Sequence, residues 1–188
     1  ARIPGYAGFL LERELEVLGG LLEDPPRPYV AVLGGAKVSD KLQVLRNLLH
    51  QVDAIAVGGA MCFTFLRAEG HEVGLSRVEE DQIDTVRDLV RDARERGVDV
   101  HLPVDVVVAP EFEETAEATT VNVGGLPDDQ MGLDVGPKTA EHYAEAIASA
   151  GSVFWNGPMG VFEWDAFAQG TRSVAKAMAS TDAFTVGG

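Results

Sequence analysis

The run YVAVLGGAKVSDKLQVLRNLLHQV, residues 29–52, carries the reading of the fold. It opens on a short β-rich apolar run, YVAVLG (29–34), which Gly34 and Gly35 break. SDKLQVLRNLLHQV then sets Leu42, Leu45, Leu48 and Leu49 on one helical face, with Ser39 as the expected N-cap. Strand, tight turn and helix in that order make the first part of a βαβ unit, and the unit recurs. DAIAVGG (53–59) leads into AMCFTFLRAEG, and the charged helix EEDQIDTVRDLVRDARERG precedes VDVHLP and DVVVAP. Further on, MGLDVG precedes PKTAEHYAEAIASAG, whose Pro137 suits a first helical turn; SVFWNGPMG precedes a helix over roughly 165–179; and FTVGG closes the chain. Near-continuously apolar strands alternating with helices predict an α/β, Rossmann-like three-layer domain, a mostly parallel sheet with helices on both faces.

Right-handed crossovers in such a sheet bring the carboxyl ends of the parallel strands to one edge, where ligands bind. Gly34-Gly35, Gly58-Gly59, Gly157 with Gly160, and Gly187-Gly188 each follow an expected strand. One glycine pair signals no more than a tight turn; four at one edge suggest close approach of a ligand to backbone. At the first of these turns Lys37 and Lys41 stand four residues apart, in a chain with only four lysines against eleven arginines. A cation at a helix start opposes the macrodipole, and a bound anion such as phosphate would relieve the conflict. The plain alternative is a solvated helix start. The spacing matches neither G-x-x-x-x-G-K-[ST] nor G-x-G-x-x-G, which disfavours the common nucleotide loops and a Rossmann-type dehydrogenase. In WNGPMGVFE (155–163) an amide, a proline-glycine turn and the Glu163 carboxylate follow another strand. A carboxylate there can accept hydrogen bonds from ribose hydroxyls, or it is a surface charge; Trp155 and Phe162 read as core.

The chain has 188 residues, 46% of them hydrophobic, enough for one substantial core. Its net charge of -15 argues against a nucleic acid or an anionic membrane as partner, so a small anion needs a local positive pocket. The lone Cys62, in MCFTFL, excludes an internal disulfide and a cysteine zinc site and reads as core in a reducing cytosol. His50, His71, His101 and His142 are dispersed without metal-ligand spacing. No apolar run approaches the roughly 20 residues that span a bilayer, and ARIPGYAGF lacks a signal-peptide layout, so the expected location is cytoplasmic. GFLLERELEVLGGLL (8–22) has helical spacing and ends before the turn-forming DPPRP.

Taken together, VLGGAKVSDKLQVLRNLL, VGGAMCFTFL, LPVDVVVA, GLDVGPKT and WNGPMGVFE with FAQGT resemble the C-terminal, nucleotide-binding domain of the phosphoglycerate kinases, in that family's order and over nearly the whole chain. The resemblance implies reversible phosphoryl transfer between 1,3-bisphosphoglycerate and ADP, giving 3-phosphoglycerate and ATP in glycolysis or the reverse in gluconeogenesis, with Mg2+ travelling on the nucleotide. It implies that Lys37 and Lys41 are catalytic, contacting the nucleotide phosphates and the group in flight, with Gly35 and Ala36 lining the same turn. Adenine is expected against Gly58, Gly59, Phe112, Gly132 and Leu133. Asn156 and Pro158 are expected on the phosphate side, Val161 and Glu163 at the ribose, and Gly187 and Gly188 at the last strand end. No side chain is expected to ligate a metal directly.

The same resemblance makes 8–22 the interdomain connecting helix and 1–188 an incomplete C-terminal domain, separated from its phosphoglycerate-binding lobe, inactive alone, and part of a full-length enzyme that is a cytoplasmic monomer. Ala60 stands where the family commonly has a third glycine, and the chain stops at Gly187-Gly188, before G-G-G-D-[ST] is complete. The alternative is a non-catalytic nucleotide-binding or protein-assembly module of the same fold.

Overall fold

Strand β1, Tyr29–Leu33, is buried at every position, as a strand covered on both faces must be. The computed structural model describes residues 24–188, so the helix expected over 8–22 lies outside the described residues. Beyond β1 come helix α1 (Leu42–Leu48), β2 (Ala54–Val57), α2 (Cys62–Ala68), α3 (Ile83–Glu95), β3 (Asp99–His101), β4 (Asp105–Ala109) and β5 (Thr119–Asn122). They are followed by β6 (Met131–Val135), α4 (Pro137–Ala148), β7 (Ser152–Asn156), α5 (Gln169–Ser180) and β8 (Phe184–Gly187). Five strands form one parallel sheet of order β3-β2-β1-β7-β8.

The period-2 alternation of β1 sorts the core into two layers. Tyr29, Ala31 and Leu33 pack with Leu45 and Leu48 of α1, Phe65 of α2 and Leu89 of α3. Val30 and Val32 face the other way, onto Tyr143 and Ile147 of α4 and Val174 of α5. Helices therefore cover both faces, and the α/β, mostly parallel reading is borne out. Pro137 occupies the first turn of α4 as expected. Cys62 is buried, and burial pushes its thiol well above the ordinary cysteine value, in keeping with a core residue.

Three expectations need correction. DVVVA and MGLDV do not extend the parallel sheet; as β4 and β6 they join β5 in a separate antiparallel sheet of order β5-β4-β6. An apolar run such as DVVVA looks the same in either setting, since both bury it, and TTVN is too polar and exposed to announce itself as a strand. Ser39 does not cap α1: the helix begins at Leu42, with Lys41 in the cap position and no side-chain cap. The Ser39 hydroxyl donates instead to Glu79 Oε1 at 2.5 Å, a charge-assisted bond that outcompetes a neutral local cap. Phe162, read as core, is 49% exposed, while Trp155 is half-buried with Nε1 donating to the Gly157 carbonyl at 2.8 Å.

Two buried carboxylates dock the small sheet on the helices behind it. Asp105 accepts the Thr139 N–H at 2.8 Å and the Lys138 N–H at 3.1 Å, satisfying the first turn of α4. Asp134 does the same for α5, accepting the Gly170 N–H at 2.8 Å. Asp134 is 3% exposed, and its burial, against the bonds from Gly170, Val135 and Gln169, pushes its carboxyl up to about 7.

Candidate functional site

The loops at the carboxyl ends of β1, β2, β7 and β8 are tied backbone to backbone. Gly34 and Gly35 donate to the carbonyls of Asn156 and Pro158, each at 3.0 Å, and Gly59 donates to Met159 at 2.8 Å. Gly157 donates to Gly188 at 3.3 Å, and Gly188 to Trp155 at 3.0 Å. The edge glycines expected from four distant parts of the chain therefore meet. Their reason differs from position to position. Gly59 has φ +64°, and a Cβ on it would overlap the Gly35 backbone, so this glycine serves contact between loops. Gly35, with φ +118°, has open space where a Cβ would be and faces the cleft described next.

That cleft, of about 500 Å³, lies between the loop edge and the antiparallel sheet. Gly35, Ala36, Gly59 and Ala60 line one side; Phe112, Met131, Gly132 and Leu133 line the other; Pro158, Gly160, Val161 and Glu163 of the β7–α5 loop close a third. Nine residues expected at a nucleotide site thus share one cleft: Gly35, Ala36, Gly59, Phe112, Gly132, Leu133, Pro158, Val161 and Glu163. Phe112 is 60% exposed, with its ring 4.6 Å from that of Trp164, centroid to centroid.

The other expected residues sit around this group. Lys41 Nζ donates to Asn156 Oδ1, and Asn156 Nδ2 donates to the Gly188 carbonyl at 3.0 Å, so a cation, an amide and the end of β8 form one chain of bonds. Lys37 is exposed. Gly58 is buried beneath Met159 and does not line the cleft. Gly187 and Gly188 border a second, open groove of about 630 Å³ with Trp155, Phe162 and Met178. Among the described residues no three His, Cys, Asp or Glu side chains are grouped to hold a metal ion.

Sequence reasoning missed the strap from Val73 to Glu79, which joins the two sides of the cleft. Leu75 N–H donates to the Gln130 carbonyl at 2.8 Å, and Ser76 Oγ accepts the Gly132 N–H at 2.9 Å. At the other end Glu79 Oε2 accepts the Val38 N–H at 2.5 Å and the Ser39 N–H at 3.1 Å, gripping the GGAKVSDK loop between its lysines. Burial, the largest single influence on this carboxyl, raises it; the bonds from the Ser39 hydroxyl and the Ser39 and Val38 N–H groups outweigh that and hold it below its ordinary value. Nothing in VGLSRVEED marks these roles, since Glu79 reads as one more acid before a charged helix and its partners lie some 40 residues away.

Apolar walls, an aromatic ring and a carboxylate, with a lysine–asparagine pair beside them, can seat a flat heteroaromatic ring carrying hydroxyls and an anionic tail. A family model described as phosphoglycerate kinase matches residues 1–188. The chain is 52% identical over 186 residues to the phosphoglycerate kinase of Moorella thermoacetica, covering 99% of this chain and 47% of that one. It is 55% identical over 188 residues to that of Salinispora tropica, covering 100% and 46%. The solved structure of phosphoglycerate kinase from Coxiella burnetii matches with a TM-score of 0.94 at 45% identity, covering 96% of this chain and 47% of that one. The chain spans about half the length of the curated relatives it matches.

Proposed function

The chain belongs to the phosphoglycerate kinase family, and we propose that it forms the adenine-nucleotide-binding half of an enzyme that moves a phosphoryl group reversibly between 1,3-bisphosphoglycerate and ADP. The observation that supports this most strongly is the convergence of nine expected residues, drawn from positions 35 to 163, on one cleft. The base lies between Gly59 and Ala60 on one side and Phe112, Gly132 and Leu133 on the other. Ala60 narrows the slot by one methyl group relative to glycine and still lines it. Ribose hydroxyls donate to Glu163, and the phosphates run over the Gly35–Ala36 turn toward Lys41 and Lys37.

In the ATP-forming direction a β-phosphate oxygen of ADP attacks the acyl phosphate in line. A P–O bond forms to ADP as the P–O bond to the acyl oxygen breaks, leaving the carboxylate of 3-phosphoglycerate, with no covalent enzyme intermediate. Lys41, aligned by Asn156, and Lys37 neutralise the charge on the group in transit. Mg2+ arrives with the nucleotide, whose phosphate oxygens suit its preference for hard ligands, and adds charge neutralisation there. Phosphoglycerate is held by an N-terminal lobe, in agreement with relatives about twice as long. The full-length enzyme works as a monomer in the cytoplasm; this half alone does not turn over.

Titration calorimetry of the full-length protein with MgADP tests the site. Loss of the charge-assisted contacts in Lys41→Ala should weaken binding roughly 10- to 100-fold, and Glu163→Ala should weaken it less. Equal affinity in wild type and both folded variants would overturn the assignment. Self-association without any nucleotide binding would favour an assembly module instead.

A further inference from the structure

Acidic residues outnumber basic ones 30 to 15 in this chain, and its arginines are mostly spoken for. Of the nine arginines among the described residues, seven form ion pairs with Asp or Glu. The two without an ion pair there are Arg46 and Arg77. Arg46 lines a polar depression beside Asp88, Asp92 and Glu95, so carboxylates are at hand. Arg77 is different. It is exposed and lines the nucleotide cleft, where its fellow lining residues include Leu75, Phe112 and Met131, and where the one carboxylate, Glu163, makes no ion pair with it.

The backbone that carries Arg77 is held on both sides. Ser76 is buried and fastened to Gly132, while Glu79 donates its N–H to Thr64 Oγ1 at 3.1 Å and grips Val38 and Ser39. The strap is thus held by the protein's own bonds, and ordering Arg77 costs side-chain freedom alone. Leu75 and Phe112, 55% and 60% exposed, leave two large apolar surfaces open in the same cleft. A guanidinium is planar and weakly hydrated, and it stacks on π-systems as readily as it pairs with anions.

We propose that Arg77 is a base-contacting residue, its guanidinium lying over the nucleotide base and closing the cleft that Leu75 and Phe112 leave open. This rests on the adenine-nucleotide reading above. The contact requires a π-face rather than a phosphate, so it is made by a nucleoside as well as by a nucleotide.

Calorimetry on the full-length protein with adenosine, ADP and inorganic pyrophosphate separates the possibilities, using wild type, Arg77→Ala, Arg77→Lys and Lys41→Ala. Arg77→Ala should weaken adenosine and ADP by the same factor, roughly 2- to 30-fold, and leave pyrophosphate unchanged. Arg77→Lys should restore little, because it returns the charge without the plane. Lys41→Ala should weaken ADP and pyrophosphate and spare adenosine. If Arg77→Ala leaves adenosine unchanged, whether or not it alters pyrophosphate, the base contact is wrong, and the site reading stands as long as Lys41→Ala still weakens ADP. A wild-type protein that binds no ADP would overturn both.

Discussion

One side of the cleft is built from the carboxyl edge of the parallel sheet and the other from the antiparallel sheet, and the two are held by different forces. On the parallel side, loops after β1, β2 and β7 bond through their backbones, Gly34 to Asn156, Gly35 to Pro158 and Gly59 to Met159. Gly34, Gly59 and Gly157 carry no side chain because the neighbouring backbones run too close for a Cβ. On the antiparallel side, position depends on single side chains reaching across the fold: Asp134 to α5, Asp105 to α4, Ser76 to Gly132 and Glu79 to the GGAKVSDK loop. A side held by backbone contacts fails when a side chain is added, whereas a side held by side chains fails when one is removed or changes its charge.

The sharpest way to break the parallel side is Gly59→Val. A β-branched residue at φ +64°, with its Cβ inside the Gly35 backbone, combines strain with overpacking and should cost roughly 5 kcal/mol. Urea denaturation should show the loss, and a variant within 1 kcal/mol of wild type, to order of magnitude, would mean that the loops can part.

The antiparallel side should respond to pH through Asp134. Its folded value of about 7 lies above the ordinary 3.8, so the native state holds this proton more tightly than the unfolded chain does. The resulting stabilisation is fully present below about pH 4 and is lost as pH rises through 7. At about 1.4 kcal/mol per pH unit the span amounts to no more than roughly 4 kcal/mol. Unfolding free energies of wild type and Asp134→Asn, measured between pH 4 and 8, should differ in slope in this window; parallel curves would show that Asp134 titrates normally.

A smaller effect is expected at the joint between the two sides. Glu79→Ala removes the acceptor for Val38 and Ser39 and should cost about 1 kcal/mol at neutral pH, since the group is partly solvated. The Val38 and Ser39 amides should exchange faster with solvent, and ADP should bind several-fold more weakly as the lysines between which they lie lose alignment. Because the folded Glu79 carboxyl is held below 4.5, its contribution is present above that pH and disappears as pH falls through the lower folded value. Unchanged exchange at both amides would show that the strap does not organise the loop.

The same contrast explains what could be read in advance. Gly34, Gly58 and Gly59 announce themselves because a glycine requirement is local, written in the residue that occupies the tight place. Lys37 and Lys41 stand out by rarity. Ser39 misled, since a serine three residues ahead of a helix looks like its cap until a distant carboxylate is seen to bind it. Arg77 and Ser76 gave no signal, because an arginine and a serine in a polar loop are ordinary until the fold sets one in a cleft and fastens the other to β6.

From its residues alone this chain determines an α/β domain with a parallel sheet, glycine-lined strand ends at one edge, and its likeness to the phosphoglycerate kinases. These follow from patterns of period 2 and 3.6 and from motifs contiguous along the chain. Only the tertiary structure decided that β4, β5 and β6 leave the parallel sheet, that Asp105 and Asp134 serve as caps for α4 and α5, and that the strap with Arg77 completes the cleft. The caps and the strap depend on contacts between residues more than 30 apart in sequence and the separate sheet on pairings 11 to 29 residues apart, and a hydrogen bond between two such positions leaves no periodic mark in either one's neighbourhood.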